Sequence, residues 1–416
     1  MKIAILGAGR VGSSLARNLS NNNYEVSIVD ESKSKIDLLQ EKLDVGCVVG
    51  HAAHKDSLLK LGVDEDTIVI AVTSNDEVNI IACQIAKKQF NAKKTICRFR
   101  DTAYIDDLDI FGEGIIDMPI SPEYEVTSHL RELIAHPGAS QIEEFADCKV
   151  KLVSVKAKKQ GKLVGRELKN IKDDLPEIDA YVPMIYRKSK PFIPNGDTII
   201  KENDEVYFIS DAESIDTIVD EFRQGEVFSR IMIVGGGKIG YLLAKELENN
   251  YKVKLIDSDH EKCEKLSRNL DKTIVLNGSA TDDGLLKSEN IDSIDVFCAL
   301  TNDDEVNLMV SVLVEKFSKD KRTMALINKQ NYSLLKTSLK IDDFIDPRMN
   351  TVSSILKHVH KGTIETVYSI LDGAYEVIEA EIIETSELIN KELKNSNLPD
   401  EIRIGAVLRG DEVIIP

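Results

Sequence analysis

The chain has 416 residues and a formal net charge of −18, with 53 Lys+Arg against 71 Asp+Glu. That length divides into two to four domains at roughly 100–200 residues each, and 42% hydrophobic with 30% charged residues excludes a disordered, collagen-like or coiled-coil chain. The acidic surplus opposes polyphosphate backbones and anionic lipid, so neither nucleic-acid binding nor loose membrane adsorption is expected.

Apolar runs such as Ile68–Val72 fall far short of the ~20 residues of a membrane-spanning helix. The apolar start is interrupted by glycines and Arg10 and is too short for a signal peptide. Six cysteines (Cys47, Cys83, Cys97, Cys148, Cys263, Cys298) include no C-x-x-C pair, which fits reduced thiols better than disulfides or zinc. These features predict a cytoplasmic chain.

In chain order, Ile3–Leu6 is a continuous apolar run, as in a strand covered on both faces. It leads into Gly7-Ala-Gly9-Arg10-Val11-Gly12, after which Val11, Leu15, Ala16 and Leu19 recur at helical spacing. Further strands read as Val26–Val29, Cys47–Val49, Thr67–Thr73, Thr95–Phe99 and Ile115–Ile120, with helical patterns between them. After about residue 140 the pattern changes. Val150, Leu152 and Val155 approach period-2 alternation among lysines, followed by Pro191, Pro194, an Asn195-Gly196 turn and a strand at Glu205–Ser210. The first pattern then returns, with strands near Ile231–Val234, Val253–Ile256, Thr273–Leu276, Asp295–Thr301, Thr323–Ile327 and Phe344–Asp346. A second small module starts near Tyr375 and stops at Pro416, which aligns with Pro194, so it lacks the equivalent of roughly Asn195–Phe222.

The return is a duplication. Gly7…Gly12 recurs as Gly235…Gly240, Gly50 as Gly278, and Thr73-Ser-Asn-Asp-Glu-Val-Asn79 as Thr301-Asn-Asp-Asp-Glu-Val-Asn307, each 228 residues on; Asp30 recurs as Asp257. Chance does not hold one register across four motifs. The expected fold is α/β: two doubly wound, parallel-sheet Rossmann-like domains at 1–140 and 227–365, each followed by a small α+β domain, at 141–226 and, cut short, at 366–416.

In G-x-G-x-x-G the first glycine permits the tight strand-to-helix turn, the second admits a pyrophosphate to the backbone, and the third lets helix and strand pack closely. Gly7, Gly9, Gly12 and Gly235, Gly237, Gly240 occupy these places, and Arg10, Val11 and Lys238, Ile239 open helices whose N–H groups face phosphate. Each turn is followed by an acid at the end of strand two. Asp30 and Asp257 suit both ribose hydroxyls and repel a 2′-phosphate, which favours NAD or a similar adenine nucleotide over NADP. Gly50, His51 and Gly278, Ser279 follow strand three, either lining the adenine side or simply turning into a helix. Thr73, Ser74, Asn75 and Glu77, with Thr301 and Asn302, lie at the carboxyl end of strand four, where open α/β sheets bind ligands; the same residues suit a helix cap. Arg98 and Arg100 end strand five and are candidates to neutralise phosphates, against exposed edge charge as the alternative. The second repeat has Asn328 and Lys329 in that region, so the two pockets are expected to differ, with the first holding a polyphosphate or charged dinucleotide more strongly. His51 and His54 are three apart but lack a Cys partner and are not repeated, so no metal site is expected. No nucleophile–base arrangement stands out.

Together Gly7–Ala16, Ala71–Asn79 with Ala82–Ala86, His136-Pro-Gly-Ala139, Val234–Gly240, Asp295–Asn307 and Gly405–Gly410 resemble the regulators of potassium conductance (the RCK or KTN family), in its Trk potassium-uptake branch. The resemblance covers nearly the whole chain. It implies a cytoplasmic, peripheral, non-enzymatic regulatory subunit that assembles as a ring, commonly a homotetramer. It also implies docking on a potassium-translocating membrane subunit of the TrkH type, with NAD(H) and ATP or ADP biasing the ring between states. Such biasing requires different affinities for the two states. The short second small module and the arginines present only in the first half depart from the family. The alternative from another class is an NAD-dependent oxidoreductase, which shares the glycine fingerprint but normally adds a substrate domain with its own catalytic set.

Overall fold

The computed structural model describes residues 2–416 apart from 22–23, 106, 159–160, 162, 175, 177–178, 189, 224–227, 318–320, 330, 333–338, 340, 360–363, 371–374, 397 and 400–401. The expected boundary at 226/227 lies outside the described residues. The first sheet is built from β1 (Lys2–Leu6), β2 (Glu25–Asp30), β3 (Gly46–Val49), β4 (Thr67–Ala71), β5 (Lys94–Arg98) and β6 (Met118–Ile120). Its order is β3-β2-β1-β4-β5-β6, all parallel. Between the strands run α1 (Arg10–Asn21), α2 (Lys33–Lys42), α3 (Lys55–Lys60) and α4 (Asp76–Phe90).

Strand alternation sorts the apolar residues between two faces. Ile3, Ile5, Ile68 and Ile70 join Leu15 and Leu19 of α1 in one cluster. Ala4, Leu6, Val69 and Ala71 join Leu58 of α3 and Cys83 of α4 in another. This is why β1 and β4 read as unbroken apolar runs.

Helix α5 (Pro122–Ala135) leads into β7 (Ala139–Phe145), β8 (Val150–Lys156), α6 (Ile171–Asp174), β9 (Ala180–Arg187), β10 (Lys190–Phe192), β11 (Glu205–Asp211) and α7 (Ser214–Arg223). These strands form an antiparallel sheet in the order β10-β9-β11-β8-β7. Pro191 sits on edge strand β10, where a missing N–H costs no ladder bond.

The second parallel sheet repeats the first. It comprises β12 (Arg230–Val234), β13 (Lys252–Asp257), β14 (Ile274–Asn277), β15 (Val296–Ala299), β16 (Arg322–Leu326) and β17 (Asp343–Ile345), in the order β14-β13-β12-β15-β16-β17. Its helices are α8 (Lys238–Leu247), α9 (His260–Asn269), α10 (Asp283–Ser288) and α11 (Asp304–Glu315). After α12 (Pro347–Lys357) come two separate ribbons, β18 (Ile364–Ile370) with β19 (Tyr375–Ala380), and β20 (Val407–Arg409) with β21 (Glu412–Ile414). In the first small module β11 pairs with both β8 and β9 and so joins them. The given sequence stops before any counterpart of β11, and the two ribbons stay unjoined among the described residues.

The chain forms two compact units, residues 1–126 with 346–378, and 127–345 with 379–416. Each parallel sheet is therefore completed by the helix that follows the other repeat. In the first unit, Val352, Ile355 and Leu356 of α12 enter the cluster of Ile3, Ile5 and Leu15, and Lys94 Nζ donates to His358 O at 3.0 Å. In the second, Arg322 donates to Leu133 O at 2.8 Å, at the end of α5. Lys94 and Arg322 are repeat equivalents, both placing positive charge on orphan carbonyls at a helix C-terminus.

Candidate nucleotide-binding sites

Each glycine turn is shaped by three different steric demands. Gly7 has φ +109° and Gly235 φ +101°, a region closed to ordinary side chains, and a Cβ there would press on Thr73 or on Leu300 and Thr301. A Cβ on Gly12 or Gly240 would lie 1.9 Å from the carbonyl oxygen of Gly7 or Gly235. A Cβ on Gly9 or Gly237 would meet nothing within 4 Å. The outer glycines are thus fixed by the protein's own packing, while the middle one leaves open space over the N-termini of α1 and α8. That space is what an approaching pyrophosphate needs.

The acids face the same turns. Asp30 Oδ2 accepts Ala8 N–H at 2.8 Å and Oδ1 accepts Ser32 N–H at 2.9 Å. Asp257 Oδ2 accepts Gly236 N–H at 2.7 Å and Oδ1 accepts Asp259 N–H at 2.9 Å. Lys35 lies 3.4 Å from Asp30, and Lys262 lies 3.0 Å from Asp257. Burial pushes the Asp257 carboxyl up, but the N–H donors of Asp259 and Gly236 and the Lys262 ammonium hold it below the ordinary carboxylate value. Gly50 N–H donates to Asp30 O at 3.1 Å and Gly278 N–H to Asp257 O at 2.9 Å, which sets the strand-three loops beside the acids. His51 Nδ1 accepts Ala53 N–H at 3.1 Å. Ser279 is hydrogen-bonded to Thr281 at 2.8 Å.

The Thr…Asn motifs are clamps. Thr73 N–H and hydroxyl both donate to Asn79 Oδ1, at 3.0 and 2.7 Å, and Asn79 Nδ2 donates to Arg98 O at 3.0 Å. Thr301, Asn307 and Leu326 O repeat this at 3.0, 2.7 and 2.8 Å. Asn75 caps α4 by accepting Val78 N–H at 2.7 Å, and Asp303 caps α11. Ser74 and Asn302 are exposed beside these caps, and Val11 is buried, so it has only its backbone to offer a ligand. Glu77 accepts the Tyr104 hydroxyl at 3.2 Å.

Buried Asp76 accepts Arg100 N–H at 2.9 Å and Asp101 N–H at 2.9 Å. Asp304 does the same for Asn328 and Lys329, at 2.9 and 2.7 Å. These carboxylates hold the loop after strand five. Above that loop the sites diverge. Burial pushes the Arg98 guanidinium below its ordinary value; Glu123 and Asp76 oppose this, while Arg100 and Arg10 add positive charge. Arg98 Nε is buried without a hydrogen-bond partner. By sheet register its equivalent is Leu326, since Arg98 pairs with Ile120 and Leu326 with Ile345.

Sequence reasoning placed Asp76 and Asn79 only within the Thr73–Asn79 motif and did not single out Lys35 or Tyr104. All recur in the second repeat, as Asp304, Asn307, Lys262 and Tyr332, and that recurrence is the signal that finds them. Among the described residues no group of three or more His, Cys, Asp or Glu side chains could hold a metal ion, and no helix is long and apolar enough to cross a membrane.

Fold and site together define a tandem Rossmann-type protein with a glycine-turn cradle in each repeat. The TrkA-N domain model matches residues 3–122 and 231–347, and the TrkA-C domain model matches residues 152–223. The Trk system potassium uptake protein TrkA of Halomonas elongata is 43% identical over 421 residues, covering 100% of this chain and 92% of that protein. The namesake from Vibrio alginolyticus is 43% identical over 422 residues with the same coverage, and that of Haemophilus influenzae 39%. The chain belongs to the TrkA family of Trk-system potassium uptake proteins. Among solved structures, the GsuK RCK domain shares the fold at a TM-score of 0.61 and 16% identity, over 85% of this chain and 75% of that one. The GsuK channel bound to NAD does so at 0.62 and 16%, over 85% and 62%.

Proposed function

We propose that this chain is a nucleotide-responsive, non-enzymatic regulatory subunit of a potassium-uptake system. It docks on the cytoplasmic face of a TrkH-type membrane subunit as a homotetrameric ring and biases its pore. The reading rests on one observation above the rest: both repeats keep an open backbone cradle over Gly9 and Gly237 with an acid locked against the turn. Two cradles on one duplicated chain suit effectors held in ring symmetry. GsuK, which shares the fold, is bound to NAD in one solved structure and to ADP in another, which supports NAD(H) and adenine nucleotides as the ligands here.

In this reading the backbone N–H groups at Arg10–Val11 and Lys238–Ile239 receive the pyrophosphate, and Asp30 and Asp257 the ribose hydroxyls. Gly50, His51, Gly278 and Ser279 border the adenosine. Thr73–Asn75, Glu77, Thr301 and Asn302 shape the far wall, and Arg98 and Arg100 meet terminal phosphates in the first site. The four-part division at about 140, 226 and 365 is part of the same proposal. Bound nucleotide acts by preferring one ring state over another and is released unchanged.

Co-purification of a tagged chain from membranes, with and without NADH or ATP, tests the reading. Recovery of a potassium-translocating subunit in nucleotide-dependent amounts is expected. Sustained NADH oxidation with a carbonyl substrate, and no membrane partner, would overturn it.

A further inference from the structure

Helices α1 and α12 cover the same face of the first sheet. Ile5, Ile70, Ile96 and Ile120 lie on that face, where Val11 and Leu15 of α1 meet Val352 and Ile355 of α12. Two positions beyond Ile96, Arg98 emerges on the same face at the carboxyl end of β5, in register with Ile120. Arg10 opens α1 at that end.

Arg348 joins them from beyond the second repeat. Val352, Ile355 and Val359 recur at helical spacing on the buried side of α12, and Arg348 stands one turn before Val352 on that side. The direction of the helix is set by Lys94, the first residue of β5, whose Nζ donates to His358 O just past the end of α12. The 11 residues of α12 rise about 16 Å at 1.5 Å each, against about 13 Å for β5 from Lys94 to Arg98. The start of α12 therefore reaches the level of Arg98, at the carboxyl end of the sheet. There each guanidinium keeps a buried N–H without an acceptor. Arg98 Nε has no partner, and among the described residues Arg98 makes no ion pair of 4 Å or less. Arg348 gives Nη2 to Asp346 at 2.5 Å, but its Nε is also buried and unpartnered. Asp346 is the cap of α12 and accepts Arg348 N–H at 2.9 Å. Neither arginine is repeated. Ile120-Ser121-Pro122 recurs as Ile345-Asp346-Pro347, which makes Glu123 the equivalent of Arg348, and Arg98 aligns with Leu326.

Buried guanidinium N–H groups without acceptors are costly to leave so, and an oxyanion is the ligand that satisfies them. We propose that Arg348 is a phosphate-binding residue of the first site, meeting with Arg98 and Arg10 the terminal phosphate of a nucleoside triphosphate. This rests on the nucleotide reading above and adds to it a residue supplied by the helix after the second repeat. A dinucleotide keeps both of its phosphates on the glycine turn and does not reach this group, whereas a triphosphate does. The first site is then complete only with α12 docked, so a terminal phosphate ties the first repeat to the segment that leads into the second small module.

The test uses the full chain with Asp257→Ala silencing the second site, and calorimetry with ATP and NADH. Arg348→Gln is expected to weaken ATP binding by about tenfold or more and to leave NADH binding nearly unchanged, which also shows that the variant is folded. Arg348→Lys keeps the charge and recovers part of the loss. If Arg348→Gln does not fold, Asp346→Asn decides: asparagine still caps α12 and removes the carboxylate that competes for Arg348, so tighter ATP binding is expected and no gain overturns the proposal. Undiminished ATP binding in Arg348→Gln, or equal losses of ATP and NADH, overturns the assignment while leaving the nucleotide reading in place. A parent chain that binds neither ATP nor NADH overturns both. Inorganic phosphate that binds under saturating NADH and is lost in Arg348→Gln, with ATP binding unaffected, assigns the group to a free anion instead.

Discussion

Thr73 gives its hydroxyl to Asn79 at 2.7 Å, and Thr301 gives its own to Asn307 at the same distance. Because Asn79 also donates to Arg98 O at 3.0 Å, one fully buried amide ties the end of β4 to the end of β5. Asn79→Ala strands a buried N–H at Thr73 and a carbonyl at Arg98, a loss of about 2–3 kcal/mol. Urea unfolding should show the drop for Asn79→Ala and equally for Asn307→Ala. A change within about 0.5 kcal/mol in either would mean that the clamp is not a source of stability.

The glycine turns separate folding from binding. Gly12→Ala and Gly240→Ala drive a Cβ to 1.9 Å from a backbone oxygen, so both are expected to unfold their sheets or shift helix from strand. Gly9→Val and Gly237→Val place their Cβ in open space and should leave the ligand-free melting point nearly unchanged. Their effect falls on binding: a ligand at 100 times its Kd contributes about 2.7 kcal/mol, and that increment should vanish. NADH protection surviving intact in both valine variants, each tested with the other site silenced by Asp257→Ala or Asp30→Ala, would remove the pyrophosphate assignment.

Acid sensitivity should be concentrated in the second repeat. Buried Glu248 follows α8; burial raises its carboxyl, but Lys272 N–H at 3.0 Å, Lys245 at 3.1 Å and both donors of Thr273 more than reverse this and hold it at about 2. A carboxyl with a folded value below its unfolded one stabilises the fold above about 4.5 and loses that contribution as pH falls toward 2. The contribution at neutral pH is on the order of 2–3 kcal/mol. Glu248→Gln should therefore be clearly less stable than the parent at pH 7, with the gap narrowing through pH 3 and closing toward pH 2. A gap that stays constant with pH argues against the ionised form. The first repeat has Ser20 at this place, which donates to Asp44 O at 3.2 Å, and Ser20→Ala should show no such pH dependence.

The sheets, the glycine turns and the acids that face them were legible in the sequence because each leaves a local mark: an apolar run, a fixed spacing, an acid at a strand end. The exchange of α5 and α12 between the repeats left none. Val352, Ile355 and Leu356 show only that α12 has an apolar face, and nothing in their spacing says which sheet it covers. The apolar pattern of Thr67–Thr73 reads as one strand, but the strand ends at Ala71; Thr73 is bonded to Asn79, six residues on, a partner that strand patterning does not reveal. The arginine comparison was also shifted: Arg98 aligns with Leu326, a substitution hidden by matching Arg100 to Asn328 alone.

That substitution yields the most direct exchange between the two sites. In the first, Arg98 and Arg100 stand near Arg10 at the carboxyl end of the sheet; in the second, the same positions are Leu326 and Asn328. Arg98→Leu with Arg100→Asn therefore rewrites the first site as the second at these two positions. Each arginine that meets a terminal phosphate contributes a charge-assisted contact worth about 1.5–3 kcal/mol. ATP binding should weaken by tenfold or more, while NADH, held through the cradle and Asp30, should change far less. Asp257→Ala in the background silences the second site, so that calorimetry reads the first alone. Equal losses for ATP and NADH would place the arginines on the shared pyrophosphate, and no loss for either would return them to the role of edge charge. The reciprocal change, Leu326→Arg with Asn328→Arg, carries a desolvation cost at a buried strand end, so only a gain in ATP affinity there is informative, and that gain is expected to be smaller than the loss in the first site.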